Sequence, residues 1–212
     1  MTADAFPQES KSRFGIFSGV SVNMNSYNID DNSNYLDTLF TSKAKAAFSI
    51  GTFFMYDFVK SFSLKLQGLY TIKGGITTYK TFAYSSSVSR TSRNNLSYLE
   101  LSLLPQYNLY LFKNNYDHRV YFNAGGYLSF MLSAKENFEV NGEDEGSSDI
   151  SGIIDGNDAG LVFGIGIISR KFMLNVSYDL GLTNIVKETA DEDFINIKNR
   201  SLNISIGFTG GF

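Results

Sequence analysis

The chain has one histidine, His118, in the run YDHR (Tyr116–Arg119). Serine-type hydrolysis needs a histidine base beside the nucleophile, so His118 is where such chemistry would have to sit. The surrounding pattern puts it in a short turn, whereas a lipid-acting site would want it at the opposite rim, so a solvated turn residue is the plainer reading. The acidic residues come next. Glu136, Glu139, Glu143, Asp144, Glu145, Asp149 and Asp155 fall in one connection, and Glu188, Asp191, Glu192 and Asp193 in another. A calcium loop needs oxygen ligands at alternating positions around a tight turn. The runs EDEG and DGND lack that spacing and read as solvated, with weak divalent-ion bridging as the alternative. Lys43, Lys45, Lys80, Arg90 and Arg93 could contact phosphates, or simply favour solubility. YSSSVSRTS (Tyr84–Ser92) reads as a hairpin tip or adhesive surface. With no cysteine, thiolate metal sites and disulfides are excluded. No catalytic residue, cofactor or metal ligand is expected.

A third group of polar residues is more informative because of its spacing. Lys65, Gln67 and Lys73 alternate with Leu64, Leu66, Tyr70 and Ile72, and Tyr98, Glu100 and Gln106 alternate with Leu99, Leu101, Leu103 and Tyr107. Alternation of period two is the signature of a strand with unlike faces. Six further segments share it. Their apolar faces are Phe14 to Met24, Ala46 to Tyr56, Val120 to Leu132, Ala159 to Ile167, Phe172 to Leu182, and Leu202 to Phe208. None of these faces carries a charge, while Lys65, Lys73, Glu100, Asp158 and Asp179 all lie opposite. A Lys or Arg facing lipid at mid-depth costs roughly 2–4 kcal/mol, so a membrane barrel explains the segregation. The polar set Lys65, Gln67, Lys73, Glu100, Tyr127 and Asp179, with Tyr98, Gln106, Tyr121 and Asn175, would then fill the lumen. Eight strands enclose a space that side chains can fill, and the expectation is a satisfied plug of ion pairs and hydrogen bonds. Gly160, Gly164 and Gly166 would leave room for large side chains from the opposite wall.

The connections give independent support. Long ones (26–43, 75–93, 135–157, 185–199) alternate with short ones (57–61, 112–118, 169–171). Outer-membrane barrels have short periplasmic turns and long external loops. The fold class expected is all-β: an eight-stranded antiparallel up-and-down transmembrane barrel over residues 13–212, preceded by a flexible periplasmic tail, 1–12. NGEDEGSS (Asn141–Ser148) looks locally disordered in composition. The last strand ends on Phe212, and Phe208 and Phe212 are expected to form the assembly signal at the periplasmic interface. Trp is absent, so Tyr would have to supply the interfacial belts. Residues 1–12 lack the apolar run of a signal peptide, and the expectation is a Gram-negative outer-membrane protein whose signal has been removed. No basic excess points to nucleic acid, since the net charge is -3.

Four motifs carry a family resemblance. YLELSLLPQYNLYLF (Tyr98–Phe112), YFNAGGYLSFML (Tyr121–Leu132), DAGLVFGIGI (Asp158–Ile167) and NVSYDLGLTNI (Asn175–Ile185) occur in that order. Together they resemble the PorT-like outer-membrane β-barrel family of Bacteroidetes, over most of the chain from Arg13. One departure is that the family proline follows the Glu-apolar pair directly, whereas Ser102 stands there and Pro105 comes three residues later. The resemblance implies the barrel and its location. Some members resemble components of gliding and secretion machinery.

The function expected is a small non-porin barrel, an accessory or structural part of an envelope or secretion complex. It would bind through rim, loops or outer wall. Partners expected are outer-membrane lipid and lipopolysaccharide, the barrel-assembly machinery and other envelope proteins. A narrow or gated pore is the alternative, then a lipid-modifying enzyme. A soluble lipocalin-like carrier is the rival of another class, and it would reverse the two faces, with apolar residues inside.

Overall fold

The computed structural model describes residues 11–29, 39–83, 86–112, 115–187 and 195–211. Residues 1–10 of the expected tail, the terminal Phe212 and the acidic residues at 188 and 191–193 lie outside them. The described strands are β1 (Lys11–Ile29), β2 (Leu39–Lys43), β3 (Lys45–Val59), β4 (Phe62–Lys73), β5 (Ile76–Ala83), β6 (Ser86–Phe112), β7 (Asn115–Val140), β8 (Glu143–Asp149), β9 (Asn157–Ser169), β10 (Phe172–Gly181) and β11 (Ile195–Gly211).

Eight of them close a ring in the order β1-β3-β4-β6-β7-β9-β10-β11, every pair antiparallel. The seam between the last strand and the first is continuous, from Arg13 opposite Gly211 to Ile29 opposite Ile195. Closure leaves no unpaired strand edge in the ring, as lipid requires. The outer wall is apolar. Ile16, Leu66, Leu103, Phe122, Leu128, Phe163, Leu174 and Ile206 are all exposed. The interior holds Asn23, Lys65, Lys73, Glu100, Arg119, Asp158 and Asp179, all buried. That is the reverse of a soluble carrier, and it removes the lipocalin-like alternative.

On the short-turn side, Lys60 and Ser61 link β3 to β4, and Arg170 and Lys171 link β9 to β10. Arg170 takes a left-handed conformation, φ 54°, which suits a two-residue hairpin turn. The long side differs from expectation. Much of what reads as loop is strand, because β2, β5 and β8 extend the wall beyond the ring as a five-stranded sheet in the order β2-β5-β6-β7-β8. A tilted strand crosses a membrane in about 9–11 residues, whereas β6 has 27 residues and β7 has 26. NGEDEGSS is a hairpin rather than a disordered segment. Asn141 and Gly142 both have positive φ, 52° and 90°, the Asn-Gly geometry that matches strand twist.

One irregularity organises this side. Ser97 faces Ser133, but Tyr98 faces Met131, so β7 carries an extra residue at that point. A bulge of this kind shifts which face a side chain takes. Phe130 and Leu132 point outward, whereas Ala134 of the same parity is buried. The interfacial belt also differs from expectation, because Phe shares it with Tyr. Phe14 packs on Phe54 at 4.8 Å, Phe62 on Tyr107 at 5.1 Å and Phe172 on Phe208 at 5.0 Å, all at the short-turn end.

Candidate functional site

The interior is filled in layers. Nearest the long-loop end, the Lys73 ammonium from β4 lies 2.8 Å from Glu100 of β6 and 3.2 Å from Asp158 of β9. It also reaches Ser129 at 3.3 Å and stands 4.1 Å from the centre of the Tyr127 ring. Asp158 accepts hydrogen bonds from Tyr127 (3.1 Å), Asn199 (3.0 Å) and Thr183 (3.1 Å). Glu100 accepts from Ser129 at 3.0 Å and Ser102 at 3.3 Å. Two carboxylates thus share one cation, and hydroxyl and amide donors fill their remaining lone pairs. Asp179 is held by the Asn203 amide at 2.7 Å.

The middle layer is mostly apolar. Phe17, Phe53, Met55, Leu69, Tyr121, Ile168 and Met173 form a buried cluster. Lys65 enters it with its ammonium 4.9 Å from the Phe53 ring centre and 5.7 Å from that of Phe17, the geometry of a cation on aromatic faces. Lys65, Gln67, Glu100, Asp179 and Asn123 line a cavity of about 20 Å³. That is room for about one water.

The layer at the short-turn end is a second ion cluster. The Arg119 guanidinium meets both carboxylate oxygens of Asp57, at 3.2 and 3.3 Å, and Arg13 approaches Asp57 to 3.6 Å. Ser63 donates to the same carboxylate, Asn108 donates to Ser63 at 2.7 Å, and Gln106 donates to Asn108 at 2.7 Å. Among the described residues the interior sets Arg13, Lys65, Lys73 and Arg119 against Asp57, Glu100, Asp158 and Asp179. The formal charges balance. Ion pairing makes burial tolerable for six of these, while the Lys65 ammonium rests on the Phe53 and Phe17 rings and Asp179 accepts from the Asn203 amide, since an isolated charge inside costs several kcal/mol.

The long-loop mouth is capped. Ile150 and Ile154, from the segment between β8 and β9, pack with Ile185, Leu96, Tyr98 and Ala134 into a buried apolar cluster. Backbone bonds pin it: Asp155 donates to Ile185 at 2.7 Å, and Lys187 donates to Ile153 at 2.9 Å. The bulge turns Ala134 inward to complete the cap. The cap covers the Lys73 layer, where the Lys73 ammonium is 5.5 Å from the Tyr98 ring centre.

Of the residues chosen from sequence, Lys73, Glu100 and Tyr127 come together around Asp158, which sequence placed on the polar face without singling it out. Lys65, Gln67 and Asp179 lie together at the cavity. The Asp57–Arg119–Arg13 cluster was missed, although Arg119 shares parity with Tyr121 and Asn123, and Asp57 with Phe53 and Met55. The glycines work differently from expectation: Gly166, Gly164 and Gly160 stand beside Tyr121, Asn123 and Tyr127 in register. An added Cβ would come within 2.3, 2.4 and 2.7 Å of those neighbours' side chains. The room they leave serves the adjacent strand rather than the opposite wall. His118 is in β7, not in a turn, and its Nδ1 lies 2.9 Å from the hydroxyl of Ser169 across the β7–β9 pair.

In the rim, Arg93 pairs with Glu139 at 2.9 Å, Ser92 donates to Glu136, and Arg90 lies 4.6 Å from the Phe138 ring centre. Lys45 donates to the Asn94 carbonyl at 3.0 Å. Several of the expected phosphate-binding cations are therefore engaged within the sheet. Among the described residues, no group of three or more His, Asp or Glu side chains could hold a metal ion.

The sequence matches the family described as outer membrane protein beta-barrel domain across residues 3–187. Among solved structures, it is similar to Ail, the attachment invasion locus protein of Yersinia pestis (16% identity, TM-score 0.40, covering 96% of this chain and 100% of that one). It is also similar to OprG from Pseudomonas aeruginosa (13% identity, TM-score 0.45, covering 93% and 95%). Neisserial surface protein A is a third such structure (14% identity, TM-score 0.42, covering 94% and 97%). No curated protein matches the sequence.

Proposed function

The chain belongs to the outer membrane protein beta-barrel domain family, and from that premise we propose that it is a closed barrel, not an enzyme, that works as an accessory part of an envelope complex. The observation that carries this reading is the filled interior. Paired charges occupy both ends, an apolar cluster occupies the middle, and the cavity beside Lys65 has room for about one water. A barrel without a lumen must act through its surfaces. One of these is the projecting sheet β2-β5-β6-β7-β8, whose β8 side chains are all exposed. Its partner would be another envelope protein, with lipopolysaccharide at the wall. Placement among the PorT-like barrels of Bacteroidetes, and with it a link to secretion machinery, is part of the proposal and rests on the four ordered motifs.

Purification of the native protein in mild detergent should bring down a stoichiometric envelope partner. Cutting the β7–β8 hairpin back to a two-residue turn after Lys135 should release it. A clean monomer under these conditions defeats the accessory reading.

One observation favours the pore alternative: the mouth is shut by the segment 150–156 and not by the wall itself. In planar bilayers the protein should give no conductance steps above leak. Reproducible openings that appear when Ile154→Asp loosens the cap, and that Lys65→Trp abolishes, would establish a gated pore instead.

The assembly signal is testable separately. Phe208 is outward and exposed, its ring packed at a tilt against that of Phe172. Deleting Gly210–Phe212 should lower the inserted yield in cells while leaving refolding into detergent nearly unchanged. Heat-modifiable gel migration reads both. Equal yields in cells would show that the end of the strand carries no signal.

A further inference from the structure

The outer wall has a dent. At one level, hydrogen-bonded neighbours bring Ile16, Thr52, Gly68 and Leu101 into register across four strands. One step towards the short turns the outward row is Phe14, Phe54, Leu66 and Leu103, and one step the other way it includes Ile50, Tyr70 and Leu99. Thr52 and Gly68 are the small members between two bulky rows. A Cβ on Gly68 would approach only Leu101 (3.8 Å) and Thr52 (4.0 Å), so the space outside it is open. The groove over this floor has a volume of about 740 Å³ and is walled by Phe14, Phe54, Leu66 and Phe208. That lies within the range of about 300–1,000 Å³ common to ligand sites.

The groove runs to the short-turn end, where Lys171 and Gly210 line it. The turn is tied to β11 there, because Thr209 donates its N–H to the Lys171 carbonyl at 2.8 Å. The exposed charged side chains described on the short turns are Lys60, Arg170 and Lys171, all basic. A long apolar slot ending at a cation fits one kind of molecule: an acyl chain with an anionic phosphate head. A second copy of this chain would offer an apolar wall, but it would set basic turns against basic turns. We propose that this groove is a binding site for an anionic phospholipid of the periplasmic leaflet, its acyl chain over Thr52 and Gly68 and its phosphate at Lys171. The site depends on the membrane placement of the barrel and not on what binds the rim.

The test uses the full chain in mild detergent, given phosphatidylglycerol or phosphatidylcholine with identical acyl chains, and read by native mass spectrometry. The expected result is one retained phosphatidylglycerol, held roughly tenfold more tightly than phosphatidylcholine. Lys171→Gln should abolish the preference between the two lipids. The double variant Thr52→Leu, Gly68→Leu should lose retention of both, with heat-modifiable migration confirming that it is folded. Equal retention of the two lipids by the unaltered protein overturns the proposal, as does full retention by the folded double variant. A dimer that the double variant dissociates would assign the groove to a second copy and also overturn it. Should the double variant not fold, Lys171→Gln decides alone, and an unchanged lipid preference rejects the site.

Discussion

Lys73→Met should destabilise the barrel by roughly 3–5 kcal/mol, the cost of leaving buried carboxylates without their cation. Lys73 is the shared partner of Glu100 and Asp158, and all three are buried. Removing it leaves two carboxylates, on strands β6 and β9 either side of β7, in one water-poor layer under the cap. The expected readout is a lowered urea midpoint for unfolding from detergent, followed by heat-modifiable migration. The triple variant Lys73→Met, Glu100→Gln, Asp158→Asn should recover much of the loss, since neutral isosteres of a buried ion group are often tolerated. If the single variant unfolds at the same urea concentration as the unaltered protein, the layer is hydrated and open, and the closed-barrel reading fails with it.

Phe163→Arg is the second large effect. Phe163 lies near the middle of β9, pairs with Tyr178 and Ala124, and is exposed on the outer wall. An arginine there meets hydrocarbon at a cost of roughly 2–4 kcal/mol, falling towards the interfaces. Leu174→Arg, nearer the short turns, should therefore cost less. Ser177→Ala, on the inner face of β10, should cost least. The measurement is the inserted fraction in cells. Equal insertion of Phe163→Arg and Ser177→Ala would remove the wall from the membrane.

The wall was legible in sequence because lipid and lumen impose opposite chemistry on alternate residues. Leu99, Leu101 and Leu103 against Glu100 and Ser102 can be read without coordinates, and so can the eight strands of the ring. The inner face was only partly legible. Phe17, Phe53, Met55, Leu69 and Met173 point inward, but an apolar side chain on the inner face carries no mark that distinguishes it from a break in the pattern. The Asp57–Arg119 pair joins residues 62 positions apart, and no local pattern encodes a contact of that separation. The sequence pattern puts Asp57 in the short connection 57–61, whereas it lies within β3. The projecting sheet was hidden for another reason. Outside the membrane both faces meet water, so residues such as those of β8, exposed along the whole strand, lose the alternation by which strands are recognised.

The extra residue opposite Ser97 and Tyr98 sets the wall part of the β6–β7 pair and its rim part in different phases. Below it, a shift of one residue would turn every wall side chain to the wrong phase, so insertions there are lethal to the architecture. Above it, the phase has already been reset, and the hairpin from Lys135 to Asp149 is held to the barrel along β6, up to the bond from the Asn141 N–H to the Ser89 carbonyl. A Cβ added to Gly142 at its tip would meet no atom of a non-adjacent residue within 4 Å, so there is open space outside it. Foreign peptide spliced between Asn141 and Gly142 should therefore be carried on an unchanged barrel, and lineages bearing this barrel should diverge fastest between Lys135 and Asp149, where the membrane exerts no veto.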